Sequence, residues 1–207
     1  MLDNVTVFDF ETTGLDPEKE RVIEMAAIQV VNGEIVTTFS ALVNPGREIS
    51  PKITELTGIT NEMLVHGIDE SLAFRILRNI MGDSLLVAHN AAFDLQFLHH
   101  ALQRLAGKTF TNNFVDTMTI ARDRHTYPHK LTDMCDRYAI KLEGAHRALN
   151  DVEGCWSLLK AMDEKQPVNE YLNKLGYLSK YGPPAWVPDH AITFGTANKY
   201  EPRGVTR

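Results

Sequence analysis

The 207-residue sequence predicts a mixed α/β sheet flanked by helices, with an irregular C-terminal extension. Three observations carry that prediction. Apolar β-branched runs alternate with segments of helical periodicity over residues 1–162. Asn32-Gly33, a pair tolerant of positive φ, stands between two strand-like runs. After about Asp163 the composition shifts toward Pro, Gly, Tyr and Trp.

The elements follow in order. Val5 to Glu11 is β-branched and aromatic on both faces, as in a strand covered on two sides. Val22 to Val31 and Glu34 to Val43 form the arms of a hairpin turned at Asn32-Gly33. Ser84 to Ala88 is a short apolar strand, and Phe114-Val115 is another. Leu95, Leu98, Leu102 and Leu105 share one helical face, with Asn90 placed to cap its start and Gly107 its end. Ala148, Val152, Cys155, Leu159 and Met162 repeat the 3.6-residue rhythm in a second helix. Asp116-Thr117, ahead of Met118 to Arg122, reads as a helix N-cap.

Composition narrows the function classes. Hydrophobic residues at 43% and charged residues at 23% exclude a wholly disordered chain. No apolar run is long enough for a membrane span, so no membrane partner is expected. Met1-Leu2-Asp3-Asn4 carries acid where a secretory signal carries base, and Cys135 and Cys155 form no CxxC pair; a reducing, cytoplasmic setting is the expectation. The net charge is −6, with +1 on residues 163–207 and therefore −7 on residues 1–162. That disfavours coating nucleic acid by bulk electrostatics, yet leaves room for a nucleic-acid enzyme that recruits positive charge as metal.

The acids point to that second case. Asp9 and Glu11 lie two apart on a strand that otherwise reads as buried, so both face one side at its C-terminal end. Two carboxylates about 4 Å apart repel by roughly 4 kcal/mol at an effective dielectric near 20. On this pair alone two resolutions stand open: a divalent cation, or an Arg partner for one acid and solvent for the other. Asp94 lies in the first turn of the helix that follows another strand end, and Asp151 interrupts the apolar stripe of the last helix. Four oxygen-donor acids with no Cys–His ligand set suit Mg²⁺ or Mn²⁺. His146, five residues before Asp151, is a neutral-imidazole candidate for general base.

The segments Phe8-Asp9-Phe10-Glu11-Thr12-Thr13-Gly14-Leu15-Asp16-Pro17, His89-Asn90-Ala91-Ala92-Phe93-Asp94 and His146-Arg147-Ala148-Leu149-Asn150-Asp151 resemble the three motifs of DnaQ-like 3′–5′ exonucleases with a histidine in the third motif. Leu56-Thr57-Gly58-Ile59-Thr60 and Val115-Asp116-Thr117 resemble further landmarks, and the match covers roughly residues 4–162. The resemblance implies a ribonuclease-H-like fold and release of 5′-mononucleotides from a free 3′ end. It implies two Mg²⁺ or Mn²⁺ ions, with Asp9 bridging, Glu11 and Asp151 on the nucleophile side, Asp94 on the leaving-group side, and His146 taking the proton.

The family pattern also names substrate contacts. Thr12, Thr13 and Gly14 are expected against the 3′ nucleotide, Leu15, Ile59 and Phe93 against an unstacked base, and His89 and Asn90 near sugar or phosphate. Arg122, Arg124, His125, His129, Lys130 and Arg137 form the one local basic concentration, readable as a nucleic-acid surface or as a solvated helical face. The implied partner is the 3′ end of single-stranded DNA, with RNA as the alternative. A subunit reading would add a polymerase or another nucleic-acid-processing complex, with residues 163–207 as an extension of unassigned role.

Overall fold

The structure, a computed structural model, describes residues 1–142 and 147–196. Five strands, β1 (Asn4–Thr12), β2 (Val22–Val31), β3 (Glu34–Leu42), β4 (Leu85–Ala88) and β5 (Phe114–Asp116), form one mixed sheet in the order β3-β2-β1-β4-β5. The hairpin turns where predicted, with Asn32 at φ 52° and Gly33 at φ 84°. β1 runs antiparallel to β2 and parallel to β4, and β4 runs parallel to β5. β1 pairs with β4 only through Val5–Val7, so Phe8 to Thr12 project beyond β4 at the C-terminal edge.

Alternation along β1 sorts its side chains. Phe8 and Phe10 enter one core with α3 (Glu70–Met81) and α4 (Ala91–Ala106), while Val5 and Val7 enter the other with α7 (Ala148–Lys165). Asp9 and Glu11 continue the parity of Val5 and Val7. They therefore share the sheet face that α7 covers. A smaller cluster of Ile23, Ile49, Ile59 and Leu64 packs beneath α1 (Pro51–Thr57) and α2 (Asn61–Val65).

The stripe predicted for α7 is buried at all five positions. On α4, Leu95, Leu98 and Leu102 are buried while Leu105 reaches solvent, and Gly107 closes the helix at φ 61°. Asn90 occupies the N-cap position at φ 71°, but its side chain makes no capping bond. The cap comes from Asp116, which accepts from Asn90 N (2.9 Å) and Ala91 N (3.1 Å). The same carboxylate caps α5 (Thr117–Arg124) through Met118 N, Thr119 N and Thr119 Oγ1. One buried acid thus starts two helices.

The described part of the C-terminal extension, through Thr196, carries regular structure. β6 (Lys174–Leu178) and β7 (Ile192–Thr196) form a parallel pair, and Val168, Tyr171 and Leu175 are buried in the two main cores. Trp186 stacks on His99 at a centroid distance of 4.0 Å. The basic concentration holds this segment down. Arg122 donates to Gly176 O at 2.5 Å, and Arg124 donates to the carbonyls of Met162, Gln166 and Pro167. His125 bonds Tyr138, which closes off α6 (Leu131–Arg137), and His129 bonds the His125 carbonyl. These groups are committed internally, which corrects both the nucleic-acid reading and the solvated-face reading for Arg122 and Arg124. No helix among the described residues is long and apolar enough to cross a membrane.

Candidate active site

Three chain segments deliver acids to the overhanging end of β1. Asp9, Glu11 and Asp151 each place a carboxylate oxygen so that all three atoms lie within 4.8 Å of one another. Asp94, 2% exposed, stands at the start of α4 and accepts the Phe10 N–H at 3.2 Å, which ties it to the strand between Asp9 and Glu11. Asp9, Glu11 and Asp151 form one cluster, and Asp94 lies against the same strand. His146 lies outside the described residues.

Their ionisation is perturbed accordingly. Burial, then the charges of Asp94, Asp151, Glu11 and Glu24, pushes Asp9 well above the usual carboxylate range. Burial, then Asp151 and Glu24, pushes Glu11 up to about 7, with Arg147 pulling the other way. Burial also raises Asp94 well above its ordinary value, opposed by the Phe10 hydrogen bond. Among the described residues, no Lys or Arg forms an ion pair with Asp9, Glu11 or Asp94. Crowded acids that offer oxygen donors only fit hard divalent cations.

Glu24 was not legible as a site residue. It lies directly opposite Glu11 in the β1–β2 register and is 2% exposed. Like charges facing across a strand pair are unfavourable, and Arg147 answers them, with Nη2 at 2.8 Å and Nε at 3.1 Å from Glu24 Oε1. The signal in the sequence is an acid inside the apolar run Val22-Ile23-Glu24-Met25-Ala26.

The expected substrate contacts divide. Leu15 is 84% exposed on the loop after β1, and Phe93 is half-buried at the start of α4, 4.9 Å from Phe97. Both have surface to offer. Ile59 does not: at 0% exposure it belongs to the small core beside Ile23 and Leu64, so its expected base contact is corrected to core packing. His89 is corrected too. Its Nε2 donates to His129 O at 2.9 Å and its Nδ1 bonds Thr117 Oγ1 at 2.8 Å, leaving neither nitrogen for sugar or phosphate. Burial lowers its pKa and favours this neutral, doubly bonded ring.

Asn90 is half-buried beside that ring, with its backbone N–H given to Asp116. Thr12 turns its hydroxyl onto Gly14 O at 2.7 Å. The Thr13 hydroxyl bonds Glu20 and accepts from Arg21 N at 2.9 Å, so the side chain braces the loop. A Cβ at Gly14 would meet Glu20 Cδ at 2.9 Å, so a larger residue there would have to displace the Glu20 side chain.

Comparison with known proteins places this arrangement. The RNase_T family model, described as "Exonuclease", matches residues 6–159. The PolC-type DNA polymerase III of Bacillus subtilis is 41% identical over 165 residues, covering 77% of this chain and 11% of the polymerase. That of Oceanobacillus iheyensis is 35% identical over 187 residues, covering 86% and 13%. The chain thus spans little more than a tenth of these relatives. Among solved structures, E. coli exonuclease I in complex with a dA16 oligonucleotide superposes with a TM-score of 0.70 at 18% identity, covering 80% of this chain and 42% of that one. Exonuclease X in complex with 5′-overhanging duplex DNA gives a TM-score of 0.63 at 25% identity, covering 78% and 92%. The fold they share is the ribonuclease-H-like one.

Proposed function

The chain belongs to the DnaQ-like exonuclease family, and from that premise we propose that it hydrolyses single-stranded DNA from a free 3′ end, releasing 5′-mononucleotides. The observation that carries the reading is the meeting of Asp9, Glu11 and Asp151 within 4.8 Å, with Asp94 bonded to the same strand.

Asp9, Glu11, Asp94 and Asp151 would hold two divalent cations, Mg²⁺ or Mn²⁺. When bound, such ions ease deprotonation of the attacking water and stabilise the departing 3′ oxygen. His146, the proposed general base, takes the proton of that water as the new P–O bond forms and the P–O3′ bond breaks. Leu15 and Phe93 offer apolar and aromatic surface to the terminal base, a contact worth roughly 1–3 kcal/mol. With Arg122 and Arg124 bound internally and the chain at −6, substrate binding should stay local to a few nucleotides.

DNA is favoured over RNA because the similar chains are DNA polymerases and the similar structures hold DNA. The polymerase relatives also support a second reading, action beside a DNA polymerase. The test uses 5′-labelled single-stranded DNA and RNA of one sequence, each with a free or a blocked 3′ end, in Mg²⁺. A ladder shortening by single nucleotides from the 3′ side of DNA, abolished by the block and by chelator, is the expected result. Internal cuts, or indifference to the block, would refute the reading. A rate that rises only when a DNA polymerase is added would favour the second.

A further inference from the structure

Glu24 and Arg147 are assigned no role by the motifs, yet they connect two of the segments that build the site. Glu24 sits on β2, opposite Glu11. Its Oε1 accepts from Arg147 Nη2 and Nε, and its Oε2 accepts from Ala148 N at 3.2 Å. Arg147 is the N-cap residue of α7 and supplies no side-chain cap of its own. A carboxylate from the neighbouring strand therefore takes the place of that cap, with its negative charge at the positive end of the helix. Asp151 N in turn donates to Arg147 O at 3.2 Å. The connection runs from strand to guanidinium to the backbone of a site acid.

The two ends of the pair differ in their surroundings. Glu24 has 2% of its side chain exposed and Arg147 has 52%, so the acid depends on the base more than the base on the acid. A buried carboxylate stripped of its partner is strongly disfavoured. Beside Asp9, Glu11 and Asp151 it would also have an obvious alternative, to turn toward whatever cation those acids share.

We propose that Glu24 and Arg147 are positioning residues of the carboxylate site. Glu24 clamps the first turn of α7, fixing Asp151 against Asp9 and Glu11, and Arg147 keeps the Glu24 carboxylate out of the cation cluster. The pair touches neither substrate nor the reacting atoms; it acts through Asp151. The proposal rests on the metal-dependent nuclease reading for its consequence, and on the geometry of β2 and α7 for its cause.

The test compares the full chain with Arg147→Lys, Arg147→Ala and Glu24→Gln. Three readouts are taken: the Mn²⁺ concentration giving half of the metal-induced rise in melting temperature, amide exchange along α7, and kcat and KM on a single-stranded oligonucleotide. Arg147→Ala should raise the half-saturating Mn²⁺ concentration roughly 10–100-fold, the usual cost of losing an outer partner of a metal ligand. Exchange should quicken at Ala148–Asp151 and stay unchanged in α4. kcat should fall in parallel, with KM within about twofold of the parent. Arg147→Lys should recover part of each loss, since an ammonium keeps the charge but not the fork. Glu24→Gln, which preserves shape and an acceptor for Ala148, should fall between the parent and Arg147→Ala.

A lower metal-free melting temperature with unchanged Mn²⁺ response and kcat, in Arg147→Ala and Glu24→Gln alike, would reduce the pair to a fold contact and overturn the proposal. A raised KM at unchanged kcat and Mn²⁺ response would overturn it differently, by making Arg147 a substrate contact. A parent chain that degrades no oligonucleotide defeats the nuclease reading alone; Mn²⁺ response and exchange then still decide this proposal.

Discussion

The Phe10 N–H donates to the Asp94 carboxylate at 3.2 Å, joining β1 to α4 between the two acids of the strand. Asp94 is held by the backbone of the neighbouring strand. Its replacement by Asn keeps an acceptor for that N–H and removes one negative charge from the cluster. Asp94→Asn should therefore melt no lower than the parent in chelator, while turnover falls by more than about 100-fold, the upper end for mere outer partners of a metal ligand. Turnover within tenfold, measured on the labelled oligonucleotide, would remove Asp94 from the site.

A pH prediction follows from the raised acids. Glu11 titrates near 4.5 when unfolded and at about 7 in the fold, so between those values the folded state holds the extra proton and stability falls as pH rises. Asp9 and Asp94 are raised in the same sense. His89 and His129 are lowered by burial and act oppositely, but equally with and without metal. The gain in melting temperature on adding Mg²⁺ should accordingly grow from pH 5 to pH 8, because binding must displace fewer protons. A gain that is flat or shrinks over that range, by calorimetry in Mg²⁺ and in chelator, would count against a shared cation site.

Asp116 accepts five hydrogen bonds and starts both α4 and α5. Losing two helix caps at about 0.5–2 kcal/mol each, with buried amides left over, should make Asp116→Ala cost roughly 2–4 kcal/mol in urea unfolding. A cost under about 1 kcal/mol would mean the two helices begin without it.

Leu15 separates binding from stability. At 84% exposure its truncation to Ala should change unfolding free energy by less than about 0.5 kcal/mol. If it meets the terminal base, KM for single-stranded DNA should rise roughly 5–30-fold, as loss of about 1–2 kcal/mol of apolar burial implies. An unchanged KM would return Leu15 to the ordinary surface.

Much of this architecture is legible because burial and periodicity coincide. Val22–Val31 is apolar but for Glu24 and Gln29, as the buried strand it forms, and Asn32-Gly33 marks its turn in residues that accept positive φ. Asp9 and Glu11 stand out because charge interrupts such a strand. The early helices are harder. α1 and α2 have seven and five residues, too short for a period to show. α3 did carry a signal, with Asp69 capping Ser71 N and Leu72 N ahead of Phe74, Leu77 and Met81 on one face. Ile59, His89 and Arg122 share one feature: the type of a side chain does not reveal whether its surface and hydrogen bonds are already spent inside the fold. Glu24 is the converse, a functional candidate whose meaning comes from a partner 123 residues away.

Asp9, Glu11, Asp94 and Asp151 are proposed to share cations. Crystals soaked in Mn²⁺ with a nucleoside 5′-monophosphate, and recorded at the manganese edge, test this most directly. Two anomalous peaks, one among Asp9, Glu11 and Asp151 and one between Asp9 and Asp94, are the predicted result, with both lost in Asp9→Ala. Peaks elsewhere, or no manganese within bonding distance of Asp9 at saturating concentration, would contradict it.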